Sequence, residues 1–157
     1  MTGPMTDRSI AREILIEAPT DVVWRTITEP DQIARWFADR VELDLRPAGD
    51  GKLVFDGSAP GKTTTVPVLV DTVDPLRRLA YRWSQPEGEA ATPANSVLVE
   101  FTLTAEGEER TRLRVVETGL DGLDWSDEAK DAYAEDHNDG WAHHFGRLVE
   151  LFAARSG

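Results

Sequence analysis

The chain contains no cysteine, which excludes disulfides and thiolate metal sites and makes a reducing compartment the simple expectation. No apolar run approaches the ~20 residues of a membrane span, and residues 1–8 carry no apolar stretch of signal-peptide type. A cytoplasmic protein is therefore expected. Basic residues are scarce: 17 Lys and Arg stand against 29 Asp and Glu, a formal net charge of −12. That balance argues against nucleic acid as a partner, because such binding depends on cations neutralising phosphates, and against docking on anionic membranes. Nucleophile signatures are missing too. Gly57-Ser58-Ala59-Pro60-Gly61 is only superficially a nucleophile elbow, with the spacing wrong and no strand-to-helix context. Gly61-Lys62-Thr63 lacks the spaced first glycine of a phosphate loop. No cofactor is implied.

What is present suits a globular domain. The 157 residues are 40% hydrophobic and 29% charged, enough to bury a core without staples. Residues 1–7 are read as a flexible tail and residues 8–157 as a single domain, with no repeat or linker. Residues 8–16 read as a first strand, with Ile10, Ile14 and Ile16 on one parity. Ala18-Pro19-Thr20-Asp21 opens a helix; proline fits its first position and Asp21 its positive end. Glu29-Pro30-Asp31 breaks that helix and starts a second short one carrying Ile33, Trp36 and Phe37. Alternation then takes over. Val41, Leu43 and Leu45 form a half-buried strand, Ala48-Gly49-Asp50-Gly51 a turn, and Leu53 with Phe55 the next strand. Residues 63–73 form a longer strand in which Pro67 marks an edge or a bulge. Strands through Leu79, Tyr81 and Trp83, through Val97 to Leu103, and through Leu113 and Val115 follow, separated by a polar loop over residues 85–96 and a hairpin at residues 106–110.

Residues 126–154 read as one helix, with Ala134, Trp141, Phe145, Leu148 and Phe152 on a single stripe. His137 and His144 lie on one flank of it beside Tyr133 and Leu151. Gly140, mid-helix, costs ~1 kcal/mol relative to alanine; close approach of another backbone is one reason to keep it. A sheet with one apolar face must cover it, and this helix carries the apolar surface to do so. The expected class is α+β: a helix-grip fold with a curved antiparallel sheet of six to seven strands around a long C-terminal helix, two short helices after the first strand, and an apolar pocket between sheet and helix.

Several segments carry a family resemblance. Ile16-Glu17-Ala18-Pro19-Thr20-Asp21-Val22-Val23-Trp24 and Ile33-Ala34-Arg35-Trp36-Phe37 resemble the opening of the SRPBCC superfamily, also called START-like or birch-allergen-like, and more narrowly the group of activators of the heat-shock-protein-90 ATPase. The stretch from Val70 to Trp83, Glu117-Thr118-Gly119-Leu120, and Gly140-Trp141 with Leu148 and Leu151 follow in family order. The resemblance implies the helix-grip fold. The superfamily spans lipid carriers, hormone-binding proteins, polyketide aromatases and cyclases, and co-chaperones, and fold does not imply function. Some members of the narrower group carry a histidine where this chain has Glu117 or Thr118, so no role resting on it transfers. The co-chaperone that names the group has an additional chaperone-binding domain, for which this chain has no room, so chaperone activation is not expected.

The residues aimed at the space between sheet and helix are Trp36, Phe37, Phe55, Tyr81, Trp83, Val99, Phe101, Trp141, His144, Phe145 and Leu148. They form the expected ligand-binding set; no catalytic residue is assigned. Core packing is the plain alternative for each of the five tryptophans, Trp24, Trp36, Trp83, Trp125 and Trp141. His144 offers a polar or acid–base group, with packing at the core edge as the alternative. His137 and His144 are two helical turns apart, ~10.5 Å along the axis and too far to share a metal ion; adjacent His143 points elsewhere, and no metal site is expected. Arg12 either extends its head to solvent or recognises an anion. Tyr81 offers a hydroxyl or packs in the core. The leading reading is a binder of a small hydrophobic molecule. A polyketide cyclase- or aromatase-like enzyme and a co-chaperone-like regulatory interaction module are the alternatives. A second copy of the chain is an admissible partner.

Overall fold

The computed structural model describes residues 9–55, 64–83, 92, 95–123 and 125–156. The expected tail at residues 1–7, the Gly57–Lys62 loop with its Ser58, and most of the loop at residues 85–96 lie outside the described residues. Seven strands form one antiparallel sheet: β1 (Ile10–Ile16), β2 (Arg40–Leu43), β3 (Asp50–Phe55), β4 (Thr64–Asp74), β5 (Arg78–Trp83), β6 (Val97–Ala105) and β7 (Thr111–Thr118). Their order is β1-β7-β6-β5-β4-β3-β2, so β2 to β7 run as a meander and the first strand adds to the last.

The register explains the core. Leu79 pairs with Phe101, Phe101 with Val115, and Leu103 with Leu113. Each pair puts two large apolar side chains on the same face, and all five residues are buried. The same alternation along β7 places Thr111, Leu113, Val115 and Glu117 inward, every one buried. Glu117 lies opposite Val99 on one side and Ile10 on the other. Pro67 sits where β4 is paired to β3, across from Lys52. The register between β4 and β5 begins at Leu69, and its irregularity falls between Val70 and Thr72. Pro67 therefore occupies a locally one-sided stretch, and the bulge belongs to Asp71.

Helix α1 (Thr20–Thr28) starts with Pro19 as its cap, in extended geometry, rather than as its first helical residue. Buried Thr26 and Thr28 donate back to the carbonyls of Val22 and Trp24, at 2.8 and 2.7 Å, which satisfies their hydroxyls inside the core. Helix α2 (Pro30–Ile33) is shorter than the pattern suggests: Pro30 opens it, Ile33 ends it, and Trp36 and Phe37 follow in turns. Trp36 is anchored there, its indole N–H donating to the Thr26 carbonyl at 3.0 Å. After β7, Gly119 adopts φ +96°, the left-handed region that glycine tolerates, and the chain bends into a 3-10 turn at Leu120–Gly122. Helix α3 (Asp127–Ser156) begins where the Ser126 hydroxyl accepts the Ala129 N–H at 3.1 Å. Its buried stripe is Trp141, Phe145, Leu148 and Phe152, with Ala134 partly buried, and it packs over the inner face of the sheet. No described helix is long and apolar enough to cross a membrane.

Candidate functional site

The interface between sheet and α3 is mostly solid. A void of about 10 Å³ remains deep inside, bordered by Trp36, Phe37, Tyr81 and Phe101 among others. The substantial space lies nearer the surface, a pocket of about 350 Å³ at the Gly140 level of α3. Its lining is Phe37, Phe55, Thr64, Val66, Trp83, Asp136, His137, Gly140, Trp141 and His144. A shallow depression of about 430 Å³ between Ile10 and Asn138 has no aromatic wall.

Of the residues expected to line a pocket, Phe37, Phe55, Trp83, Trp141 and His144 do so. Trp36, Tyr81 and Phe101 border the small deep void, and Val99, Phe145 and Leu148 are packed in the core. Trp24 is core as well, while Trp125 is 37% exposed and lies edge-on against Tyr133. The Tyr81 phenol is buried away from the pocket; burial, together with the charge of Glu117, pushes its pKa above the ordinary range and keeps it protonated. Arg12 points inward as its parity requires, with Nε buried and without a hydrogen bond, but it does not line the pocket.

The pocket walls are a set of stacked rings. Phe37 stacks on Trp141 at 5.1 Å between centroids, and Trp141 stacks on Trp83 at 5.9 Å. Phe55 meets Phe37 edge-on at 5.6 Å. Flat, rigid walls of this kind bury area at little entropic cost. His144 closes one side, edge-on to Phe37 at 4.8 Å. Its pKa is pulled down to about 4, chiefly by burial; the Trp36 backbone carbonyl opposes the shift, and His143, Arg147 and His137 reinforce it. His144 is therefore a neutral ring at neutral pH, with Nδ1 buried and unbonded. Gly140 has nothing within 4 Å of where a Cβ would stand. Close backbone approach does not explain this glycine; the space above it is the pocket.

Sequence reasoning missed the polar side of the site. Glu117, 1% exposed at the end of β7, accepts hydrogen bonds from the Tyr133 hydroxyl at 2.8 Å and from the Trp141 indole N–H. His137 Nδ1 lies 2.9 Å from the same Oε1 that takes the indole. Tyr133 in turn accepts from the Trp83 indole at 3.0 Å and stacks on His137 at 3.7 Å. A buried carboxylate survives only when its oxygens are satisfied, and here two pocket-lining tryptophans and a histidine are tied to it. The signal was present: Glu117 shares parity with Leu113 and Val115, and Tyr133 and His137 are four apart on α3. No group of three or more His, Asp or Glu side chains among the described residues could hold a metal ion.

Residues 17–153 match the family model described as Activator of Hsp90 ATPase homolog 1-like protein. Protein NE0264 from Nitrosomonas europaea is similar in structure, with TM-score 0.75 and 19% identity over 94% of this chain and 96% of that one. DynU16, from the dynemicin biosynthetic locus, has TM-score 0.69 and 24% identity, over 92% of this chain and 46% of the other. The Aha1 dimer from Colwellia psychrerythraea has TM-score 0.68 and 17% identity over 92% and 95%. No curated protein matches the chain. At these identities the structural likenesses establish the shared helix-grip fold and nothing finer.

Proposed function

The chain belongs to the Activator of Hsp90 ATPase homolog 1-like family, and from that premise we propose that it binds a small, flat hydrophobic molecule in the pocket beside Gly140. The observation that carries this reading is the pocket itself: about 350 Å³, walled by Phe37, Phe55, Trp83 and Trp141. That volume is at the small end of the ~300–1,000 Å³ usual for ligand sites, which suits one or two fused rings rather than a long acyl chain. Burying ~200 Å² of such a molecule supplies about 5 kcal/mol before the costs of association. DynU16 belongs to a biosynthetic locus, and an aromatic biosynthetic compound suits walls of this kind. The exposed large apolar side chains among the described residues are Leu45, Leu76 and Trp125, in three different connections, and Val149 on α3; no two are neighbours in sequence, which favours the pocket over a docking surface. A second copy of the chain is the protein partner this reading admits, as in the Colwellia dimer.

The test is Gly140→Leu, which places a side chain in the pocket while keeping a good helix former in α3. Calorimetric titration with naphthalene derivatives should show binding to the wild-type protein and at least a tenfold loss in the variant. Native mass spectrometry of gently purified wild-type protein should likewise retain an extra mass that the variant loses. Equal binding by both proteins would place the ligand elsewhere and end this reading.

A further inference from the structure

We infer that His137 is the pocket's recognition group, a hydrogen-bond acceptor for an aromatic hydroxyl, and that Glu117 orients it. This rests on the pocket reading above and narrows its ligand to the phenol class. The Trp141 indole N–H can only donate, so Glu117 Oε1 acts as its acceptor. His137 Nδ1 faces that same oxygen at 2.9 Å and must carry a proton to bond to it. In a neutral imidazole the other nitrogen, Nε2, is then bare and accepts. It has no hydrogen-bond partner among the described residues. The ring is fixed as well as its tautomer: Tyr133 stacks on one face, itself held by Trp83 and Glu117, and Trp83 meets the ring edge-on at 5.7 Å. His137 side-chain exposure is 25%, and the ring lines the pocket.

The remaining polar groups in the lining select against an anion. Asp136 is exposed at the mouth, and His144 is neutral at neutral pH. Neither Lys nor Arg is among the residues lining the pocket. A neutral ligand that stacks on Trp83 and Trp141 and donates one O–H to Nε2 matches both the walls and the open lone pair. Glu117 touches no ligand in this arrangement; it is a positioning residue, linking the histidine and one wall tryptophan to the sheet.

The probes are 2-naphthol and its methyl ether, 2-methoxynaphthalene, which differ in the donated hydroxyl. The wild-type protein should prefer the naphthol by roughly tenfold, one net hydrogen bond. His137→Phe keeps a ring on Tyr133 and removes the acceptor, and should bring the preference to unity. In Glu117→Gln the Trp141 indole, which can only donate, keeps the amide oxygen at the Oε1 position, so Nδ1–H and the preference should persist, whereas Glu117→Ala removes the acceptor and should lower the preference. Nitrogen-15 NMR of the imidazole reads the tautomer without ligand: Nδ1–H in the wild type and in Glu117→Gln, a mixture of the two tautomers in Glu117→Ala. A wild-type ring protonated on Nε2 would overturn the inference, as would a preference that survives in His137→Phe. Equal binding of the two probes overturns this inference alone, whereas binding of neither overturns the pocket reading with it.

Discussion

The two halves of α3 face the same sheet with opposite outcomes. Towards the C-terminus, Phe145, Leu148 and Phe152 are at most 4% exposed and belong to a continuous core. One to two turns earlier, at Gly140, the helix surface opens into about 350 Å³ of space. The stripe continues through both halves; what changes is side-chain volume and polarity. Gly140 contributes no side chain, and the neighbouring flank positions are His137 and His144, whose rings line a boundary instead of interdigitating. The solid half is buried core, and in a close-packed interior every missing methylene is felt. In the open half, missing volume is already tolerated, and the rings around it are held by a buried carboxylate.

The largest effect should come from that carboxylate. Glu117→Ala leaves the Tyr133 hydroxyl, the Trp141 indole and His137 without their shared acceptor, at a cost of ~3–5 kcal/mol. Urea denaturation would read it, with exposed Glu150→Ala as the comparison, expected within ~0.5 kcal/mol. A loss below ~1 kcal/mol for Glu117→Ala would mean that the open half does not depend on this network. In the solid half, Leu148→Ala should cost ~2–5 kcal/mol through the cavity it creates. Phe55→Ala removes a half-buried wall ring that already borders space, and its cost should fall below that of Leu148→Ala. If the two losses are equal, the contrast between the halves is wrong.

Most of the fold was readable because it is written in periodicity. Alternation along Leu79–Trp83, Val97–Leu103 and Leu113–Val115 chose the inner face, and the 3.6-residue stripe chose the buried side of α3. Short-range chemistry read less well. Trp36 and Phe37 were expected on a helix that stops at Ile33. The candidate site was legible only in part, for a different reason. Periodicity assigns a side chain to a face but does not say whether the space there is filled. Val99, Phe145 and Leu148 point as expected and meet other core residues. Glu117 was overlooked because a carboxylate near a strand end ordinarily means solvent; its parity said otherwise, and only the convergence of Tyr133, His137 and Trp141 from a distant helix explains how it is tolerated there.

A smaller effect separates the halves by pH. His144 has its pKa lowered in the folded protein to about 4 from an ordinary 6.5, mainly by burial. Below pH 6.5 the unfolded chain takes up a proton that the folded chain refuses, so stability should fall as pH drops towards 4 and level off below it. The full shift would correspond to ~3 kcal/mol; partial exposure of the ring reduces this to about 1–2 kcal/mol. Thermal unfolding of wild type and His144→Phe at pH 7 and pH 4.5 reads the difference, and the variant should lose less on acidification. Equal losses would show that the ring is solvated and that the aromatic boundary is looser than its geometry implies.

The smallest expected effect is the most selective for the comparison. Glycine inside a helix costs ~1 kcal/mol relative to alanine because its backbone has more freedom to lose. At Gly140 an added Cβ meets nothing within 4 Å, so Gly140→Ala should recover up to ~1 kcal/mol with no packing penalty. At Gly49, in the β2–β3 connection, a Cβ would stand 2.1 Å from the Asp44 carbonyl oxygen and 2.9 Å from that of Arg46. Both are backbone atoms that cannot rotate aside, so Gly49→Ala should destabilise the protein. Opposite signs for the two substitutions in the same denaturation assay would separate a glycine kept for close approach from one that stabilises nothing in the fold. A helix residue with a stability cost and no packing constraint is then explained by the volume it leaves open. A destabilising Gly140→Ala would instead mean that the pocket closes in solution and that the helix is packed there after all.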